Sequence, residues 1–167
     1  MNGSVQGMDL DGNVTFFWWG SEDTNDGPDT VATSSGQVRL YESAAACAAA
    51  AKEAGWPADP TGDTSIIDAR PVQQWLRGER LALDLASALK VLNLALDFAH
   101  ATHISWDPRG GKMERCYRKL FAANIPYFFG LSSFEPQWSR YELNVLRVSL
   151  DRAIALLRAA SLVTRTA

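Results

Sequence analysis

Asp97, His100 and His103 are spaced three apart and form the one cluster in this sequence that contains histidine. Histidine with carboxylate is a common metal ligand set, provided the ligands converge on one point. On a helix Asp97 and His100 are neighbours, but His103 is rotated by roughly a further 60° in the same sense. No HExxH or EExxH string accompanies them, and the paired ExxH strings of di-iron bundles are absent. The same residues also read as a buried polar pair followed by a helix-end histidine, whose place near a C-terminus suits the helix dipole. Asp84, Asn93 and Asp97 would serve as general acid–base groups if their stripe faces a cleft, and as hydrogen-bonding groups between helices if it does not.

Other candidates are fewer and plainer. Cys116 lies beside Arg115 and Arg118, which would lower its pKa, but it falls on the apolar face of its helix. There is no GxSxG string. Gly110-Gly111-Lys112 fails as a phosphate loop, because Trp106 stands where the first glycine is required and Met113 where the hydroxyl is required. Arg109, Lys112, Arg115, Arg118 and Lys119 crowd around Tyr117 and would suit phosphate groups. Yet the chain has a pI of about 5.3 and carries no helix-turn-helix or RNA-binding signature, so an exposed cationic helix face is expected and no nucleic-acid partner. The segment 125–138 is the best candidate interaction surface, with Tyr127, Phe128, Phe129, Phe134 and Trp138. Loops carry function more often than scaffolds do, and aromatic residues dominate binding hot spots. The alternative is that these rings pack between helices and sheet.

Charge is divided along the chain. Residues 1–68 hold eleven acidic groups against Arg39 and Lys52, a net of −9. Residues 69–167 hold fourteen basic groups against eight acidic ones, a net of +6, and the total is −3. A split of this size points to charge-guided recognition by an acidic N-terminal surface of Glu22, Asp23, Asp26 and Asp29. Attraction between the two halves would explain it without any partner.

The elements that must position these groups follow from periodicity and punctuation. Residues 14–19 are β-branched and aromatic and bounded by Gly12 and Gly20, as in a buried strand. Residues 31–33 and 37–41 read as short strands around Ser34-Ser35-Gly36, and 65–68 as a further short strand. A small antiparallel sheet of about three strands assembles them. Ser43 should N-cap an alanine-rich helix that ends at Gly55 before Pro57. Residues 71–76 open a helical turn interrupted by Gly78, and 79–102 form a long helix, apolar nearly all round, at the centre of a bundle. Residues 112–123 form an amphipathic helix. Pro136 fits the first turn of a last helix reaching about Leu162, with Leu143, Leu146, Leu150 and Leu157 as its core stripe.

At 167 residues the chain suits one domain, with a soft boundary near 59–64. Cys47 and Cys116 form no CxxC and read as free thiols in a reducing cytoplasm. Residues 1–10 lack a secretory pattern, and charges interrupt the longest apolar run, so a soluble cytoplasmic protein without a membrane partner is expected.

Several motifs carry a resemblance. They are Phe16-Phe17-Trp18-Trp19, the helix after Ser43, Val72-Gln73-Gln74-Trp75-Leu76, and Leu92-Asn93-Leu94 followed by Asp97. Lys119-Leu120-Phe121, Ile125-Pro126, and Pro136 with Trp138 before a long helix complete the set. In this order the chain resembles small actinobacterial immunity proteins of polymorphic toxin systems. The resemblance implies a non-enzymatic protein that binds and neutralises a cognate toxin.

The fold expected is α+β, a small N-terminal antiparallel sheet with one helix packed on a C-terminal bundle of three or more helices. The function expected is a protein-binding module, without cofactor or metal, whose acidic surface would occlude a basic toxin domain. An enzyme using Asp97 and His100, and a structural or oligomeric component, stand as alternatives. The sequence leaves the oligomeric state open.

Overall fold

Phe16, Phe17, Trp18 and Trp19 put two large rings on each face of an extended chain, because successive side chains alternate. Both faces then need a cover. The computed structural model describes residues 2–21, 29–56 and 64–163. In it β1 (Asn2–Leu10) and β2 (Asn13–Ser21) form a nine-residue antiparallel ladder. They are flanked by β3 (Asp29–Val31) beside β2 and by a strand at Ile66–Asp68 beside β1. A two-residue pair, β4 (Thr33–Ser34) and β5 (Gln37–Val38), stands apart as its own ribbon.

One face of the sheet is covered by α1 (Ala44–Glu53). Trp18 is buried there with Cys47 and Ala51, and Val5, Phe16, Tyr41 and Trp56 pack around them. The Trp18 and Trp56 rings lie 5.7 Å apart. The helix can approach closely because its side chains are small. The sheet yields space too: a Cβ on Gly3 would lie 2.1 Å from the Trp18 ring, so β1 needs a bare backbone at that position. Ser43 caps α1 by accepting the Ala46 amide at 3.1 Å, and Gly55 closes it with a φ of +71°, as the sequence predicts.

The other face carries Met8, Leu10, Phe17 and Trp19 into the main core. The strand at Ile66–Asp68, β6, and then α2 (Arg70–Leu76) lead to α3 (Leu85–Ala101). Helix α3 packs against sheet and helices alike and gives Leu92, Leu94, Ala95 and Phe98 to the core. Phe98 meets Phe17 edge to face at 5.3 Å. Around α3 stand α4 (Glu114–Asn124) and α5 (Arg140–Val163), the latter contributing Leu146, Leu150, Ile154 and Leu157. The architecture is α+β. No helix among the described residues is long and apolar enough to cross a membrane.

Four expectations are corrected. The sheet is mixed, not antiparallel: β6 runs parallel to β1, with Gly7, Met8 and Asp9 opposite Ile66, Ile67 and Asp68. A three-residue strand carries no signal of direction; the return of the chain after α1 sets it. Helix α3 begins at Leu85 rather than at residue 79, because the Asp84 carboxylate caps it by accepting the Ser87 amide at 2.9 Å. Pro136 precedes α5 and lies outside it. The start is a capping box, in which Ser139 Oγ accepts the Glu142 amide at 3.2 Å and Glu142 Oε2 accepts the Ser139 amide at 2.8 Å. Leu143, expected in the core, is exposed.

The charge split is partly consumed inside the fold. Asp11, at the β1–β2 turn, receives both Arg158 Nε and Nη2 at 2.8 Å and Gln73 Nε2 at 2.6 Å. Asp68 takes a two-pronged contact from Arg70, whose Nε also reaches Asp9 at 3.2 Å. Asp11 thus ties the hairpin turn to α2 and α5, and Asp9 and Asp68 tie β1 and β6 to the start of α2.

The close approach at Gly3 is directly testable. Gly3→Val should force the Trp18 ring out of place and destabilise the protein by about 1–3 kcal/mol, a drop of several degrees in melting temperature. A variant that melts with the wild type would contradict this packing.

Candidate functional site

Helix α4 presents its cations on one side and its apolar residues on the other. Cys116 and Leu120 are buried, whereas Arg115 and Arg118 are exposed. Tyr117, around which the basic residues cluster in sequence, donates its hydroxyl to Asn93 Oδ1 at 2.7 Å and keeps Arg109 nearby. Arg109 is neutralised by a two-pronged contact with Asp107 at 2.8–2.9 Å. Arg115, Arg118 and Lys119 remain together on α4.

Beneath them lies Glu142, whose side chain is only 8% exposed. Its Oε1 accepts Lys119 Nζ at 2.7 Å and lies 3.2 Å from Arg115 Nε, while Oε2 is occupied by the Ser139 amide. Lys119 also donates to the Gln137 carbonyl at 2.7 Å and stands 5.3 Å over the Trp138 ring. The Lys119 hydrogen bond, followed by the Ser139 amide, holds the Glu142 carboxyl far below its ordinary 4.5, at about 2. Cys116 is affected in the opposite sense: burial, and then the Glu142 charge, push its thiol up. It is a packed residue, not an activated nucleophile.

After α4 the chain makes a rigid turn. Asn124 Nδ2 donates to the Leu120 and Leu85 carbonyls at 2.8 and 3.1 Å, tying the end of α4 to the start of α3. Pro126–Phe129 then form a single 3₁₀ turn, closed by Gly130 at a φ of +70° and by the Leu131 amide donating to the Pro126 carbonyl. The rings mounted on it are unusually exposed: Tyr127 77%, Phe128 72% and Phe129 40%, with Leu131 at 42%. Phe121, Phe128 and Phe129 meet edge to face at centroid distances of 5.6–5.8 Å.

The five aromatic residues singled out in the sequence therefore divide. Tyr127, Phe128 and Phe129 point outward, and Trp138 packs against the core beneath Lys119. Phe134 joins Phe129 and Leu131 along one wall of a cleft of about 560 Å³, whose other wall holds Arg115, Arg118 and Lys119. Part of the basic cluster and part of the aromatic loop, separate in the sequence, thus line one cleft: Arg115, Arg118 and Lys119 with Phe129 and Phe134. Sequence reasoning missed Glu142, although the Ser139-x-x-Glu142 spacing is a legible capping signal.

The central polar stripe faces elsewhere. Lys90, Asn93 and Asp97 line a crevice of about 300 Å³ between α3 and the sheet, together with Gln6, Trp19 and Ser65. Asp97 Oδ2 accepts the Trp19 indole N–H at 3.1 Å. Asp84 leaves the stripe to cap α3 and pair with Arg80 at 3.5 Å. His100 is exposed, and His103 lies past the helix end in a left-handed conformation with a φ of +59°. Among the described residues no group of three or more His, Cys, Asp or Glu is placed to hold a metal ion. Of the acidic surface, Glu22, Asp23 and Asp26 lie outside the described residues, and Asp29 begins β3 with its backbone opposite Ser21.

No protein-family model, curated protein or solved structure matches this chain.

The hub beneath the cleft makes a prediction about pH. Because the Glu142 pKa is depressed on folding, its contribution is complete above the unfolded value of 4.5 and is lost as pH falls towards about 2. Glu142→Gln should cost on the order of 2 kcal/mol at neutral pH in urea unfolding, with the gap to wild type narrowing progressively below pH 4.5. A gap independent of pH would contradict the ion-paired hub.

Proposed function

We propose that the protein is a non-enzymatic, cytoplasmic protein-binding module, in the form of an immunity protein that neutralises a cognate toxin domain. The observation carrying the reading is the exposure of Tyr127 and Phe128 on a turn that is itself fixed by Gly130, Asn124 and the Phe121 ring. Large rings left mostly in water cost hydration, while at an interface they bring apolar area at low entropic cost. The resemblance to immunity proteins supplies the kind of partner.

The test is to identify the genes flanking this one and to co-express this chain with any toxin domain they encode. The wild-type chain should rescue growth and co-purify as a stable complex. Tyr127→Ala/Phe128→Ala should weaken that complex at least about 30-fold while leaving the unfolding midpoint nearly unchanged. Failure to form a complex, or a double variant that binds like the wild type, would defeat the proposal.

A second reading rests on the crevice, where Asn93 and Asp97 do line a cleft beside Lys90. That placement would allow acid–base chemistry on a small polar substrate. Under the binding reading, Asp97→Ala/His100→Ala loses some stability with the Trp19 hydrogen bond, about 1–3 kcal/mol, yet neutralises the toxin fully. Loss of neutralisation in a variant that remains folded and bound, or stoichiometric metal in the purified protein, would favour the enzyme.

A further inference from the structure

The cations of α4 outnumber the carboxylates that reach them. Glu142 is filled from inside the protein: Lys119 and Arg115 share one oxygen and the Ser139 amide takes the other. Its side chain is 8% exposed, whereas that of Arg115 is 80% exposed, so an approaching molecule meets the guanidinium and not its partner. Arg118 makes no ion pair among the described residues and lines the same cleft. Glu114 is the one acidic residue in that lining. Facing these groups stand Phe129, Leu131 and Phe134.

The cleft is thus two-sided, cationic along the helix and apolar along the loop, and its volume of about 560 Å³ fits a few side chains of a linear segment. Guanidinium groups match carboxylates with paired hydrogen bonds, a geometry that ammonium groups cannot reproduce. Resting on the protein-binding reading above, we infer that this cleft takes an acidic linear segment of the partner protein, with carboxylates against Arg115 and Arg118 and an apolar side chain against Phe129, Leu131 and Phe134. A polyphosphate backbone or an anionic membrane fits less well. The whole chain carries −3, which opposes an extended polyanion more than a short segment seated on the local cations. The Phe121, Phe128 and Phe129 rings are locked at 71–80° to one another, and so do not offer parallel faces for stacking bases. The partner segment is opposite in charge to the basic toxin surface expected to meet the acidic N-terminal residues.

The probe is a capped hexapeptide of four glutamates, one phenylalanine and one leucine, titrated into the full-length ¹⁵N-labelled protein. Saturating shifts are expected at the amides of Arg115, Arg118, Phe129 and Leu131, with millimolar affinity that falls with salt. The Lys-for-Glu peptide should give none, and Arg118→Glu should weaken the response at least about tenfold with an unchanged melting curve. No shift up to about 5 mM peptide, equal shifts with the lysine peptide, or shifts confined to other surfaces would overturn the inference. So would tighter binding to a single-stranded oligonucleotide or to phosphatidylserine vesicles than to the peptide. In the toxin complex, Arg115→Glu/Arg118→Glu should also cost at least about tenfold in affinity. An intact complex in that variant, together with its loss in Tyr127→Ala/Phe128→Ala, would refute the acidic segment alone and leave the binding module standing.

Discussion

The constraint on which the structure depends is the burial of β2 on both faces. Phe17 and Trp19 point to α3, and Phe16 and Trp18 to α1, so neither face can be left to water. That requirement explains features that otherwise look unrelated. An alanine-rich helix is suited to a face already filled by tryptophan, and Gly3 makes room in the neighbouring strand. Helix α3 must be apolar nearly all round because it meets the sheet on one side and α4 and α5 on the others. The Asp11 contacts with Gln73 and Arg158 then fix the hairpin to the helices from the sheet's end.

The candidate surface is built on that frame by a second, local constraint. Helices α4 and α5 are joined, beyond their shared core packing, through the Glu142 carboxylate, which both caps α5 and binds the α4 cations. The loop between them is anchored at its start by Asn124 and near its end by Trp138. Between these anchors Tyr127 and Phe128 stay exposed, at the expense of hydration. The same clamp brings Arg115 and Arg118 alongside Phe129 and Leu131 in one cleft.

Much of the frame was legible where local chemistry is strong. Ser43 and Gly55 mark the ends of α1, Ser35-Gly36 marks the β4–β5 turn, and the apolar pattern marks α3 as central. Strand β1 was not legible, since Gly3, Ser4, Gln6 and Gly7 have weak strand character and its two glycines answer to the Trp18 and Phe16 rings across the ladder. Asp11-Gly12 was nonetheless available as a signal: both residues adopt positive φ, at 54° and 76°, the requirement of a tight hairpin turn. The parallel pairing of β6 is non-local and leaves no trace in three residues. For the site, the rings and the cations were each visible in sequence, but their union was not, because it depends on how α4 ends and α5 begins. Asp97 was visible as a polar residue on an apolar helix, while its partner Trp19 lies 78 positions away.

The central claim is that the α4 cations and the 126–131 turn form one docking surface for a protein. Hydrogen–deuterium exchange of the protein, alone and with the toxin domain that it is proposed to neutralise, addresses it most directly. Protection on complex formation should concentrate in residues 111–134, with the exposed amides of the turn slowed most. Protection confined to the N-terminal sheet or to the crevice beneath α3, with residues 111–134 unchanged in the complex, would contradict it.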